Sequence, residues 1–156
     1  MRKVFIVTER RADFSRFKPI LQKLKQNPEF EYDLVVTGLH LLDTHGNTIE
    51  EIREAGFEIF ATFDMYEDTV EKDTGANMVR SLGVAIQKLP EIIERSNPDI
   101  VLTGFDIAAN FATTVVAAHM NLPVVHIQGG EVSGTIDESL RHAMSKFAHY
   151  HLASNT

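Results

Sequence analysis

The strongest constraint on this chain is an alternation that runs from one end to the other. Short apolar runs, rich in β-branched and aromatic side chains, are separated by segments with helical spacing. Residues 3–7, 33–37, 58–63, 99–103, 123–127 and 149–153 read as six strands. Between them, Phe14, Phe17, Ile20, Leu21 and Leu24 make one apolar face of a helix over 14–26, which Asn27-Pro28 ends. A second helix spans 48–55 and a third 77–95, where Pro90 is expected to kink or interrupt it. An alanine-rich helix covers 108–120, and a last one runs from 135 to about 147. Thr48 to Glu51 and Thr135 to Glu138 both have the spacing of a capping box. The acidic stretch 63–73 reads as a surface loop. Strands that alternate with helices predict a single α/β domain: a doubly wound, mainly parallel, six-stranded Rossmann-like sheet with right-handed crossovers.

Composition narrows the chemistry. With no cysteine among 156 residues, disulfides, thiolate metal sites and a cysteine nucleophile are excluded. The net charge of −7 comes without a basic cluster, which argues against nucleic-acid binding. No apolar run approaches the length of a membrane span, and the apolar part of the amino terminus is too short for a signal peptide. A cytoplasmic protein with no membrane partner is the expectation. No G-x-G-x-x-G, Walker loop or G-x-S-x-G elbow is present, and no histidine pair has zinc-ligand spacing. Neither a metal nor a nicotinamide cofactor is expected.

In a doubly wound sheet, ligands sit beyond the carboxyl ends of the strands. Four loops there hold most of the polar and unusual residues. The first carries Arg10, Arg11 and Asp13 ahead of Ser15 and Arg16, and reads either as an anion site at a helix amino end or as a capped helix start. His40 closes the second strand, placed for a ligand contact. Asp106 opens the loop after the fourth strand, facing the crevice or capping the next helix. The richest loop runs from His126 through Gly129-Gly130 and Glu131 to Asp137. The helix after it sets Glu138, Arg141 and His142 on one face, which would serve proton transfer and anion binding, or a cap and one surface ion pair. His126, in an apolar strand, reads as a hydrogen-bonded core residue.

Taken together, Arg11-Ala12-Asp13-Phe14-Ser15, Thr37-Gly38-Leu39-His40-Leu41, His45-Gly46-Asn47-Thr48 and the block from His126 to His142 resemble the hydrolysing UDP-N-acetylglucosamine 2-epimerases of sialic-acid-type biosynthesis. The resemblance implies a fold similar to the amino-terminal half of a GT-B glycosyltransferase. It also implies elimination of UDP with loss of the C2 proton, then addition of water to a glycal to give N-acetylmannosamine. No cofactor is implied. Carried over by position, Asp106, Glu131 and Asp137 are the implied catalytic carboxylates. Arg11, Ser15, His40, Glu138, Arg141 and His142 are the implied contacts to UDP-N-acetylglucosamine or a related UDP-sugar.

Two departures qualify this. Phe105-Asp106-Ile107 stands where the family has Gly-Asp-Arg, so a phosphate-contacting arginine is replaced by an aliphatic side chain, and Phe105 would crowd a turn suited to glycine. Gln128 stands where many members carry glutamate, with Glu131 nearby as a substitute. The resemblance further implies a carboxyl-terminal domain that this chain lacks, so near inactivity alone is the expectation. A homo-oligomer is also implied. The alternatives are a non-catalytic nucleotide-sugar-binding or interaction domain, an epimerase for a related UDP-sugar such as a bacillosamine derivative, or a glycosyltransferase of similar fold.

Overall fold

A computed structural model describes residues 1–66 and 74–154. The later part of the acidic stretch read as a loop, residues 67–73, lies outside them. Six strands form one all-parallel sheet in the order β3-β2-β1-β4-β5-β6. The strands are β1 (Arg2–Thr8), β2 (Phe30–Thr37), β3 (Ala61–Phe63), β4 (Ile100–Gly104), β5 (Val124–Ile127) and β6 (Tyr150–Leu152). The helices are α1 (Arg11–Gln26), α2 (Ile49–Glu54), α3 (Gly75–Ser96), α4 (Ala108–His119) and α5 (Ile136–Phe147). Two short 3₁₀ turns, Gly38–Leu41 and Asp43–His45, lead from β2 to α2.

The period of two along β1 builds both cores at once. Phe5 and Val7 face α3 and α4, joining Leu89, Ile93, Ala112 and Val116. Val4 and Ile6 face α1 and α2, joining Phe17, Leu21, Ile49 and Ile52. The sheet is therefore covered on both sides, as parallel sheets require. The order grows outward from β1 to β2 and β3, then restarts beyond β1 at β4. The point where it reverses lies between β1 and β4, where the chain leaves one strand upward to each face and opens a crevice.

Several local expectations need correction. Pro90 does not interrupt α3, which is continuous from Gly75 to Ser96. Only one backbone hydrogen bond is forgone there, and Leu89, Ile92 and Ile93 fix the helix by burial on both sides of the ring. The third strand is the three residues of β3 rather than 58–63, and β2 begins earlier, at Phe30. Neither threonine caps its helix. Thr48 Oγ1 instead meets His40 Nδ1 at 2.6 Å. The Glu138 carboxylate reaches back past Thr135 to accept the N–H groups of Ser133 (3.0 Å) and Gly134 (2.7 Å). Asp106 does not cap α4, whose preceding residue is Ile107. Among the described residues no helix is long and apolar enough to cross a membrane.

Candidate functional site

The crevice is floored by residues that leave β1. Thr8, Glu9 and Asp13 are buried, an unusual density of polar groups for a strand exit. Asp13 accepts hydrogen bonds from Thr8 Oγ1 (2.9 Å) and from the N–H groups of Glu9 (2.8 Å), Arg10 (2.9 Å) and Phe14 (2.8 Å). Burial nevertheless raises its pKa to about 6, against the opposing pull of those donors. Thr8 Oγ1 also meets His40 Nε2 at 3.0 Å, so Asp13, Thr8, His40 and Thr48 form one buried chain joining β1, α1 and the approach to α2.

His40 is fully enclosed, and burial lowers its pKa to about 4. His126 is also enclosed, with Nδ1 at 3.1 Å from Ser145 Oγ, and burial first and His151 second lower its pKa to about 4. A histidine depressed in the folded state stabilises fully above its ordinary value near pH 6.5 and loses that contribution as pH falls toward 4. Asp13 acts in the opposite sense, its contribution being lost as pH rises through about 6. Two histidines outweigh one carboxyl. Urea unfolding should therefore show the chain less stable by about 1–2 kcal/mol at about pH 4.5 than at about pH 7. Equal stability at the two pH values would refute this assignment of neutral, buried imidazoles.

Asp106 is aimed by the turn before it. Phe105 has a left-handed backbone (φ 57°), and its ring is buried edge-on to Phe17 at 5.0 Å with the Arg16 guanidinium over it. The side chain fits because it folds back over α1, and the turn tolerates the conformation that glycine would adopt without strain. Asp106 then pairs with Arg141, which is 6% exposed and also donates from Nη1 to the Glu131 carbonyl at 2.6 Å. One guanidinium thus ties the loop after β4 to the glycine-rich loop after β5.

Arg10, Tyr66, Asp106, Ile107, Asp137 and Leu140 line a cleft of about 340 Å³. Among the described residues the Asp137 carboxylate has no side-chain hydrogen-bond or ion-pair partner. Two other concavities lie away from this crevice, beside α3 along the β3 edge and at the amino ends of β1 and β2.

The remaining sequence-selected residues are dispersed. Arg11 is 68% exposed at its side chain and pairs with Glu51 of α2. Ser15 is exposed, its hydroxyl donating to the Ala12 carbonyl at 2.8 Å. Glu131 is held by the Gln128 amide (2.9 and 3.0 Å) and the Ser154 hydroxyl (2.9 Å), which keep its pKa below the ordinary carboxylate value. Glu138 is likewise held low, by the Gly134 and Ser133 N–H groups, and lies 3.5 Å from the exposed His142. Asp106, Asp137 and, through its pair, Arg141 are therefore brought together; Arg11, Ser15, His40, Glu138 and His142 are not. Sequence reasoning passed over Glu9 and, although it set Arg10 in a loop that reads as an anion site, carried Arg11 rather than Arg10 into the implied contacts. A signal for Glu9 and Arg10 existed: two opposite charges placed directly after a buried strand. Among the described residues no group of three or more histidines and carboxylates could hold a metal ion.

A family model described as UDP-N-acetylglucosamine 2-epimerase matches residues 22–156. The chain is 36% identical to a UDP-N,N'-diacetylbacillosamine 2-epimerase (hydrolyzing) of Legionella pneumophila, over 99% of this chain and 40% of that protein. It is 34% identical to a UDP-N-acetylglucosamine 2-epimerase of Neisseria meningitidis, again over 99% of this chain and 40% of that protein. The chain thus spans about 40% of the length of these curated relatives. Its fold matches a crystal structure of UDP-GlcNAc 2-epimerase from Neisseria meningitidis bound to UDP-GlcNAc, with a TM-score of 0.80 at 18% identity. That match covers 97% of this chain and 39% of the other.

Proposed function

The chain belongs to the UDP-N-acetylglucosamine 2-epimerase family, and we propose that it forms the amino-terminal, crevice-bearing domain of a hydrolysing enzyme of this kind. The substrate is UDP-N-acetylglucosamine or a related UDP-sugar such as a bacillosamine derivative. The observation that carries this reading is the meeting of Asp106, Asp137 and Arg10 in one cleft at the point where the strand order reverses.

The reaction divides into two steps. A base removes the C2 proton, the electron pair forms the C1=C2 bond of a glycal, and the C1–O bond breaks to release UDP. Water then adds across the double bond, its hydroxyl to C1 and a proton to the opposite face of C2, giving N-acetylmannosamine. Asp137 is the carboxylate assigned to the C2 proton, because Asp106 is committed to Arg141, and Glu131 to Gln128 and Ser154. Arg10 meets the charge that develops on the leaving diphosphate. Arg141 positions Asp106 and the loop of Glu131.

The cleft has one wall in this chain, and the relatives are more than twice as long. Calorimetric titration with UDP-N-acetylglucosamine is therefore expected to give a dissociation constant of about 1 mM or weaker. An assay of released N-acetylmannosamine should stay near background. Brisk release by the 156-residue chain would refute the single-wall reading. Ile107 lining the cleft favours a second reading, a nucleotide-sugar-binding domain without catalysis. Binding with no turnover by a longer form carrying both domains would select it.

A further inference from the structure

Glu9 takes no part in the steps above, yet its setting in the crevice draws on distant parts of the chain. It follows β1 directly and its side chain is fully buried. A carboxylate stays in such a place only with strong partners. Three reach it from separate parts of the chain. Arg10 Nη2 donates to Oε1 at 2.9 Å, the Tyr66 hydroxyl donates to the same oxygen, and the Ala109 N–H in the first turn of α4 donates to Oε2 at 2.9 Å. The chain also makes room for it. Gly38, at φ 63°, comes so near that a Cβ there would stand 2.4 Å from Glu9 Cγ.

Arg10 and Tyr66 line the cleft, with Glu9 enclosed behind them. Burial works against the charge of Arg10, but the neighbouring Glu9 carboxylate offsets it and holds the pKa above its ordinary value. A guanidinium, a phenol hydroxyl and a helix-end amide make a donor set well suited to phosphoryl oxygens. Here a carboxylate of the chain itself has taken it.

We infer that Glu9 sets the affinity of the cleft for a diphosphate: it occupies the donors at the amino end of α4, fixes Arg10 in the wall, and opposes a second anion. The inference rests on the UDP-sugar reading for the identity of that anion. The charges agree with it. Among the described residues, Glu9, Asp106 and Asp137 face Arg10 and Arg141, three carboxylates against two guanidinium groups. An incoming diphosphate meets a net negative cleft, and Arg10 receives it while still paired to Glu9. Among the described residues the buried Arg10 Nε has no hydrogen-bond partner, which leaves that guanidinium short of its full set. A cleft built this way holds Arg10 in place before binding and releases a diphosphate product readily.

The sign of one mutational effect tests this. Glu9→Gln keeps the shape and an acceptor for Ala109 while removing the charge. Calorimetry with inorganic pyrophosphate is expected to show binding tightened at least about tenfold. A merely structural role predicts binding unchanged or weakened, so a folded Glu9→Gln chain that binds no more tightly overturns the inference. Arg10→Gln gives an independent reading should Glu9→Gln not fold. It is expected to weaken pyrophosphate binding at least about tenfold, and affinity equal to wild type overturns the inference as well. The same titrations with UDP-N-acetylglucosamine separate the two levels of argument. Expected responses to pyrophosphate, with no binding of the nucleotide sugar even by a longer form carrying both domains, support the role of Glu9 and refute the UDP-sugar reading.

Discussion

Arg141→Met is expected to lower the unfolding free energy by about 3 kcal/mol, the low end of the range for breaking a buried ion pair. The guanidinium is 6% exposed and serves two loops at once, through Asp106 and the Glu131 carbonyl. Methionine fills most of the volume and supplies none of the donors, so Asp106 loses its charge partner. The low end applies because the Asp106 side chain keeps 24% of its exposure and can draw on water. Urea unfolding measures the effect directly. A loss below about 0.5 kcal/mol would place the pair among surface salt bridges and remove the reason for regarding these loops as tied. The same variant in a longer, two-domain form should lose activity beyond its loss of stability, since the Asp106 carboxylate and the Glu131 loop are no longer held.

Phe105→Gly is expected to destabilise by about 2–3 kcal/mol, although glycine is the residue the turn itself would favour. Two terms oppose each other. A left-handed backbone costs a bulky residue about 1–2 kcal/mol, which glycine would recover. Against this, emptying the site of a buried phenylalanine costs about 3–5 kcal/mol, and here the ring contacts to Phe17 and Arg16 go with it. Packing outweighs strain. Thermal or urea denaturation decides the point: a variant as stable as wild type would show that the ring contributes little and that Phe105 is a strained replacement.

The architecture was legible because it follows from one repeated pattern. Apolar runs such as 3–7 and 33–37 have nowhere to go in a chain of this size except the interior of a two-sided sheet. What escaped was decided by contacts between distant parts of the chain. Thr48 and Thr135 have the spacing of helix caps, but a spacing cannot show that His40 will reach Thr48 first, or that Glu138 will bind the preceding loop. Pro90 marks a local break that burial of its neighbours overrides.

The site shows the same limit more sharply. Asp106 and Asp137 were identifiable because one follows a strand end and the other opens a helix, and Arg141 because its spacing from Glu138 sets it on the same helix face. Arg10 and Arg11 are adjacent in sequence and identical in type, yet one lines the cleft and the other pairs with Glu51 of α2. A difference of one residue at a helix start turns a side chain by roughly 100°, and only the helix boundary settles which arginine faces inward. Glu9 was missed for a related reason. A glutamate after a strand reads as a solvated loop residue until Tyr66, Ala109 and Gly38, from three other parts of the chain, are seen to enclose it.

The position of β1 in the middle of the sheet bears on how the chain is made. Made before the other five strands, β1 pairs on one side with β2, which follows soon after, and on the other with β4, whose Ile100 stands opposite Val4. At roughly 5–20 residues per second, β4 leaves the ribosome some 5–20 seconds behind β1. During that interval the apolar run from Val4 to Val7 has an unpaired edge, open to any strand-forming segment nearby. The crevice itself lies on that seam between β1 and β4, and takes Asp137 and Leu140 from still later in the chain. A nascent chain stalled before residue 100 would hold half a sheet and no crevice.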